Sequence, residues 1–420
     1  MALTQLGCDI AALCPAPGHP FLKTSAVRQT LHYDGRRPLA SLRRAIEGVR
    51  PDIIIPLCDR GVQHLHELHA LTRHSKAPEN SIASLIERSL GSPSSFAVVS
   101  SRYRLLEAAR EEEVLVPEMI RVDDIGALDL WCSRNASPWV IKADGTWGGR
   151  GVRIAESRNE ADHVFAELSM RPGIFEFLKR LILNRDRDWI LSEWKHARRG
   201  IVAQTHIQGR PANCAVACWE GQVLAGIGVE VIEARGPKEP AMVVQVSENT
   251  DMIRSAEKIV RRLDLSGFVG FDFIIENGTG ATYLIEMNPR CTPPVPIAMG
   301  KGRDLAVALC SRLTSDPVPD RTPVTEKDRI TYFPKNWGMD ADPQNAIPVE
   351  TTYYDLPHGE PALIQDLLHP WTSRSLIGRG LDSLRRRLAP GTIPKSCIFE
   401  GPKGPVPSAC VLETLSSDQP

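Results

Sequence analysis

No run of apolar residues in this 420-residue chain approaches the roughly 20 that a membrane-spanning helix needs. Neither charge sign is in excess. Lys+Arg number 50 and Asp+Glu 51, and a formal net charge of -1 supplies no global field toward nucleic acid or an anionic membrane. The N-terminal segment through Pro20 holds Asp9 and no Lys or Arg, which argues against an export signal. The ten cysteines lack zinc-like spacing, apart from Cys214 and Cys218. Those two share one face of an expected strand, where packing is the better reading. Cysteines without an export signal fit a reducing cytoplasm, which is the expected location. There is no internal repeat and no low-complexity tract.

What remains is an ordinary globular composition, 42% apolar and 24% charged, long enough for two or three domains. The first hundred residues read as α/β. Asp9 to Cys14 is a short apolar strand, and Pro51 to Cys58 (PDIIIPLC) a continuous one of the kind parallel sheets bury. Gly61 to His74 then has helical spacing. Leu3 to Cys8 resembles a helix end feeding a second strand, so an upstream start or a missing first strand is expected. Ser101 to Glu113 is an amphipathic helix with Leu105, Leu106 and Ala109 on one face. Strands are expected at Trp139–Ala143, Ile201–Ile207, Asn213–Trp219 and Val223–Val231, and helices at Asn159–Ser169 and Asp251–Leu263. Phe268–Ile275 and Ala281–Met287 read as a hairpin turned by Asn277-Gly278. Beyond Pro317 prolines multiply and periodicity fades, predicting a lightly structured extension. The domains predicted are residues 1–100, 101–317 and 318–420.

Two separated segments carry the chemistry. In Lys142-Ala-Asp-Gly-Thr-Trp-Gly-Gly-Arg-Gly-Val152 a strand ends on a lysine and enters a glycine-rich loop. Such a loop lets amide N–H groups approach an anion, and the lysine adds a point charge for phosphate. The lysine precedes the glycines, unlike the mononucleotide P-loop. In the second segment Asp272 faces Glu286-Met-Asn-Pro-Arg290 across the hairpin. Two carboxylates and an amide oxygen suit Mg²⁺, with Mn²⁺ as the alternative, and Arg290 offers a fork of donors to phosphate or carboxylate.

The order of these pieces resembles the ATP-grasp superfamily. VIKADGTWGGRGVR resembles the glycine-loop segment of biotin carboxylase and carbamoyl-phosphate synthetase, and GFVGFDFIIENGTGATYLIEMNPR their metal-binding hairpin. The resemblance covers about Ser101 to Leu305. It implies an ATP-grasp fold, α/β and α+β, preceded by a Rossmann-like α/β domain. It implies Arg102 and Lys142 as cations on the nucleotide phosphates, and Gly148, Gly149 and Gly151 as a lid loop. Ala203 to Ile207, with Gln204, Thr205 and Ile207, would grip adenine and ribose. Asp272 and Glu286, assisted by Asn288, would hold the metal. Arg290 would stabilise the transferred phosphoryl group. Two positions depart from the pattern: Gln204 stands where glutamate is usual, and Arg102 where lysine is frequent. The CTPPVPIAMG that follows Arg290 lacks the pattern of biotin-dependent carboxylases.

The function implied is ATP-dependent ligation of a small-molecule carboxylate to an amine through an acyl-phosphate. A phosphotransferase and a nucleotide-binding regulator without turnover are the alternatives. Neither nucleic acid nor membrane is an expected partner, and a homodimer is allowed. His64, His66, Glu67 and His69 invite a metal reading, but helical geometry splits them and a solvated or capping role is preferred. Asp59, after PDIIIPLC, is a ligand-site or helix-capping candidate. The basic stretch Lys179 to Arg199 reads as a solvated face, and Arg235 and Lys238 as loop residues near a second substrate.

Overall fold

The computed structural model describes residues 1–14, 19–75, 79–144, 151–169, 200–234, 236, 240–314, 318–334, 352–357 and 359–368. Met1–Trp371 form one compact unit, and a second unit, Thr372–Pro420, lies outside the described residues. Among the described residues no helix is long and apolar enough to cross a membrane.

Strands β1 (Ala11–Cys14) and β2 (Gln29–His32) pair in parallel. Helices Pro38–Val49, Asp59–Thr72 and Glu79–Leu90 follow, packed around Ile46, Leu65, Leu68 and Ile86. The strand expected at Pro51–Cys58 does not form. Pro51 and Pro56 have no N–H to give a ladder. The segment is instead held singly: Ile54 N–H donates to Ser89 Oγ (2.9 Å) and Pro56 O accepts from Cys291 N–H (3.0 Å). Its side chains still alternate. Ile53 and Ile55 pack on the core of a large sheet described below, and Ile54 on the helices.

Helix Arg102–Glu111 buries Leu105, Leu106 and Ala109, as its spacing predicts. A four-stranded antiparallel sheet comes next, built from β3 (Met119–Val122), β4 (Trp139–Ala143), β5 (Val152–Ala155) and β6 (Ile201–Thr205) in the order β3-β6-β4-β5. One face, with Trp139, Ile141, Ile201 and Ala203, packs on Leu128 and Trp131 of helix Ile125–Arg134 and on Ala161 of helix Arg158–Ser169.

The large sheet is β7 (Gly209–Trp219), β8 (Gln222–Ala234), β9 (Ala241–Ser247), β10 (Gly267–Glu276), β11 (Thr282–Asn288), β12 (Arg329–Tyr332) and β13 (Thr352–Asp355), ordered β11-β10-β7-β8-β9-β12-β13. One face carries Cys214, Val216, Cys218, Phe271 and Phe273 against helix Thr250–Leu263 and the 102–111 helix. The 250–263 helix buries Met252, Ala256, Ile259, Val260 and Leu263, a one-face spacing, and Asn249 caps it. The other face carries Ala215, Ala217, Ile227 and Val229 against Leu305 and Leu309 of helix Leu305–Leu313.

Two expectations need correction. Residues beyond Pro317 are more than a lightly structured extension, because β12 and β13 complete the sheet and helix Pro361–Leu368 follows. These strands are four residues each, too short for periodicity to reveal. The β10–β11 connection is also longer than the dipeptide signal implies. Glu276 N–H donates to Ala281 O (2.8 Å), closing a loop in which Gly278 and Gly280, but not Asn277, have positive φ. A two-residue type I′ turn would need positive φ at both of its central residues.

Candidate active site

The site begins with a fault in strand alternation. Asp272 of β10 sits opposite Glu286 of β11, but the next pair is Phe273 with Leu284, so Ile285 is an extra residue in β11. The buried positions of β11 accordingly run 282, 284, 287. Leu284 and Met287 join the core with Phe271 and Phe273. Glu286 and Asn288 are thereby set on the opposite face, beside Asp272 and Gly270, their cross-strand partners. On its other side Asp272 pairs with Asn213 of β7.

Asp272 is the most constrained of these. Asn213 Nδ2 donates to its Oδ1 (2.5 Å) and Asn288 Nδ2 to its Oδ2 (3.0 Å). Its pKa is pushed up to about 6, first by burial and then by Glu286, against the lowering effect of the two amides and Arg290. Glu286 receives Arg102, whose NH2 lies 2.9 Å from Oε1 and whose Nε lies 3.3 Å from it. Arg102 NH1 also donates to Ala143 O (2.6 Å) at the end of β4.

Lys142 reaches the same place from the facing sheet. It pairs with Val202 across β4 and β6, and Val202 belongs to the core between the sheets, so Lys142 shares that face. It is buried, at 6% exposure, and its Nζ donates to Ile285 O (3.4 Å), the carbonyl of the extra residue. Burial lowers its pKa to about 8, partly opposed by Glu286 and Asp272 and assisted by Arg102. Gln204, two residues from Val202, is on this face too. It is buried, and its Oε1 has no hydrogen-bond partner among the described residues. Thr205 N–H donates to Glu118 O (2.9 Å), and Ile207 is half-buried just beyond β6.

Arg290 closes the other end. Its Nε donates to Asp59 Oδ1 (3.0 Å) and its NH2 to Asn288 Oδ1 (2.9 Å). The structure removes the capping reading of Asp59. Cys58 is the helix N-cap, its Sγ accepting from Gly61 N–H, while Asp59 is the first helical residue and binds Arg290. Gly270 lets the chain after Arg290 lie against β10, since a Cβ there would come within 2.4 Å of Thr292 Cγ2.

Lys142, Arg102, Asp272, Glu286, Asn288 and Arg290 are thus brought together. Gly151 lies at the start of β5, its carbonyl accepting from Ala143 N–H (2.9 Å). Gly148, Gly149, Arg235, Lys238 and the stretch Lys179–Arg199 fall outside the described residues. The four candidates of the 59–72 helix have separate partners: His64 meets Tyr33, His66 and His69 meet Phe96, His69 binds Glu87, and Glu67 accepts from Gln63. His64 and His69 are buried, so the solvated role expected for them does not hold. Among the described residues no group of three or more His, Cys, Asp or Glu is arranged to hold a metal. The donor set at Asp272 is of another kind, two carboxylates and an amide, which suits a hard cation that shares its shell with phosphate oxygens.

Sequence reasoning missed two residues. Asn213 is a lone amide in the buried run Ala212–Trp219, a signal that was available. Asp144 accepts from Ser101 Oγ and Arg102 N–H (both 3.1 Å), tying the end of β4 to the start of the 102–111 helix. Burial raises its pKa despite these donors. Only the fold brings Asp144 and Arg102 together.

Residues 105–310 match the family model described as carbamoyl-phosphate synthase L chain, ATP binding domain. A search of curated protein sequences finds no match. Among solved structures, a Campylobacter jejuni biotin carboxylase in complex with β,γ-ATP is similar over 76% of this chain and 68% of its own, at 14% identity and a TM-score of 0.56. The biotin carboxylase domain dimer of Hydrogenobacter thermophilus 2-oxoglutarate carboxylase, with MgADP, ADP and bicarbonate, is similar over 77% and 68%, at 14% identity and 0.52. An Aspergillus clavatus carboxyaminoimidazole ribonucleotide synthase complexed with ATP is similar over 77% and 76%, at 14% identity and 0.51.

Proposed function

We propose that the chain is an ATP-dependent ligase of ATP-grasp type that joins a carboxylate to an amine, a reading supported by the match of residues 105–310 to the ATP binding domain of the carbamoyl-phosphate synthase L chain. The observation that carries this reading is the row Asn213-Asp272-Glu286 across three strands, met by Lys142 and Arg102. Two carboxylates and two cations at one place fit a metal–polyphosphate better than either ion alone. The fold relatives solved with ATP, ADP and MgADP support the same ligand.

The triphosphate would lie along the Asp272–Glu286 row beside Lys142, with the base toward Gln204, whose carbonyl, without a partner among the described residues, can accept from an exocyclic amine. Lys142 and Arg102 bind phosphate oxygens. A substrate carboxylate oxygen then attacks the γ-phosphorus, the bond to the β-phosphate oxygen breaks, and ADP leaves. Arg290 bears on the charge that spreads over the transferred group. The amine next attacks the acyl carbon, phosphate departs, and the amine loses a proton. Mg²⁺, held by Asp272, Glu286 and Asn288, supplies charge neutralisation on the phosphates; Mn²⁺ suits the same donors.

ADP release dependent on both a carboxylate and an amine is the test. Lys142→Ala and Glu286→Ala should each lower it by at least about 100-fold, the scale of losing one electrostatic stabiliser. Near-normal turnover in Glu286→Ala overturns the metal assignment. ADP release without an amine points to phosphotransfer instead.

A further inference from the structure

The Asp59–Arg290 pair joins a helix start in the N-terminal region to the end of the catalytic hairpin. The two side chains keep 22% and 24% of their surface exposed, so a ligand can reach both. Arg290 is fixed by Asp59 on Nε and by Asn288 on NH2, and Asn288 in turn binds Asp272. Any carboxylate that approaches the Asp272–Glu286 row by way of Arg290 therefore meets Asp59 as well.

That neighbour changes which carboxylates are suitable. A simple anion, such as the bicarbonate in the Hydrogenobacter structure, can use the Arg290 N–H groups left by Asp59 and Asn288, but it shares the guanidinium charge with Asp59. Its arrival leaves Asp59 with a weakened partner and a like charge beside it, which is unfavourable for a part-buried group. A ligand carrying a cation next to its carboxylate exchanges one internal ion pair for two intermolecular ones. No charge is then stranded. From this balance we propose that the carboxylate substrate is a zwitterion of the α-amino acid type, with its carboxylate on Arg290 and its ammonium on Asp59. Asp59 is then the residue that sets substrate class. This proposal deepens the ligase reading and rests on it.

The test is ADP release by the full chain with ATP, Mg²⁺ and hydroxylamine as a general amine acceptor. A panel of α-amino acids is compared with the same acids lacking the amino group, and with bicarbonate. Wild-type protein should prefer the amino acid over its deaminated partner by roughly tenfold or more in kcat/KM, as expected when a site's charge is left unpaired by the poorer ligand. Asp59→Asn should bring the ratio of the two kcat/KM values near one, and Asp59→Glu should retain the preference. An unchanged ratio in Asp59→Asn, or efficient use of bicarbonate by wild type, overturns the proposal. If no carboxylate elicits ADP release, the ligase reading fails separately, and thermal shift with ATP and Mg²⁺ decides. Stabilisation by amino acids, absent with deaminated acids and lost in Asp59→Asn, upholds the site. No stabilisation removes it.

Discussion

Arg102 and Glu286, 184 residues apart in the chain, meet at 2.9 Å, and the same guanidinium donates to the carbonyl of Ala143. One side chain thus holds together the start of a helix, the end of β4 and the carboxylate face of the hairpin. Lysine has no fork with which to reach all three.

Arg102→Lys should keep the charge and lose the geometry. ATP affinity is expected to fall about fivefold to tenfold, with a change in unfolding free energy of no more than ~1 kcal/mol, since Glu286 remains a third exposed. Calorimetric titration with ATP and a melting curve measure the two effects. A large loss of stability with unchanged ATP affinity would make the pair a structural tie alone.

Lys142 sets a pH dependence. Its ammonium loses a proton near pH 8 in the fold, against 10.5 ordinarily, chiefly through burial. Polyphosphate favours the charged form, so ATP binding above about pH 8 should take up a proton and weaken as pH rises. Titrations in buffers of different ionisation enthalpy count that proton. Between pH 8 and 10.5 the unfolded chain holds this proton and the folded chain does not, so this group makes stability rise with pH there. The charged form therefore destabilises the fold at pH 7, by an amount on the order of 3 kcal/mol. Lys142→Met should raise the melting temperature at pH 7, and the gain should shrink by pH 10. A pH-independent difference would contradict the burial argument.

Gln204 separates stability from binding. Its buried Oε1 lacks a partner among the described residues. Gln204→Leu removes an amide that burial penalises, so the melting temperature should hold or rise, the stability changing by roughly +1 kcal/mol at most. ATP affinity should fall severalfold in the same variant, by equilibrium titration. Loss of both together would give the side chain a structural duty.

The legible parts of this chain are those with enough residues for a period. The strand Trp139–Ala143 and the helices over 102–111 and 250–263 stand where their patterns put them. Pro51–Cys58 misleads because hydrophobicity reports burial, whereas pairing needs N–H groups that two prolines remove. The site divides the same way. Lys142, Asp272, Glu286 and Arg290 are recognisable from local motifs. Asp59 is a candidate from its place after PDIIIPLC, but its partner Arg290 appears only in the fold, and Asp144 acquires meaning only through Arg102. Strands β12 and β13 are too short to carry a pattern at all.

The extra residue in β11 is accommodated without changing which side chains face the site. Strict alternation would send Glu286 to the side of Leu284 and bring Met287 out beside Asp272; the added Ile285 reverses this. Deleting Ile285 would leave Glu286 on the Asp272 side and Met287 in the core, because the bulge absorbs a residue that alternation does not need. What the deletion would remove is the Ile285 carbonyl, the acceptor that Lys142 Nζ reaches at the site.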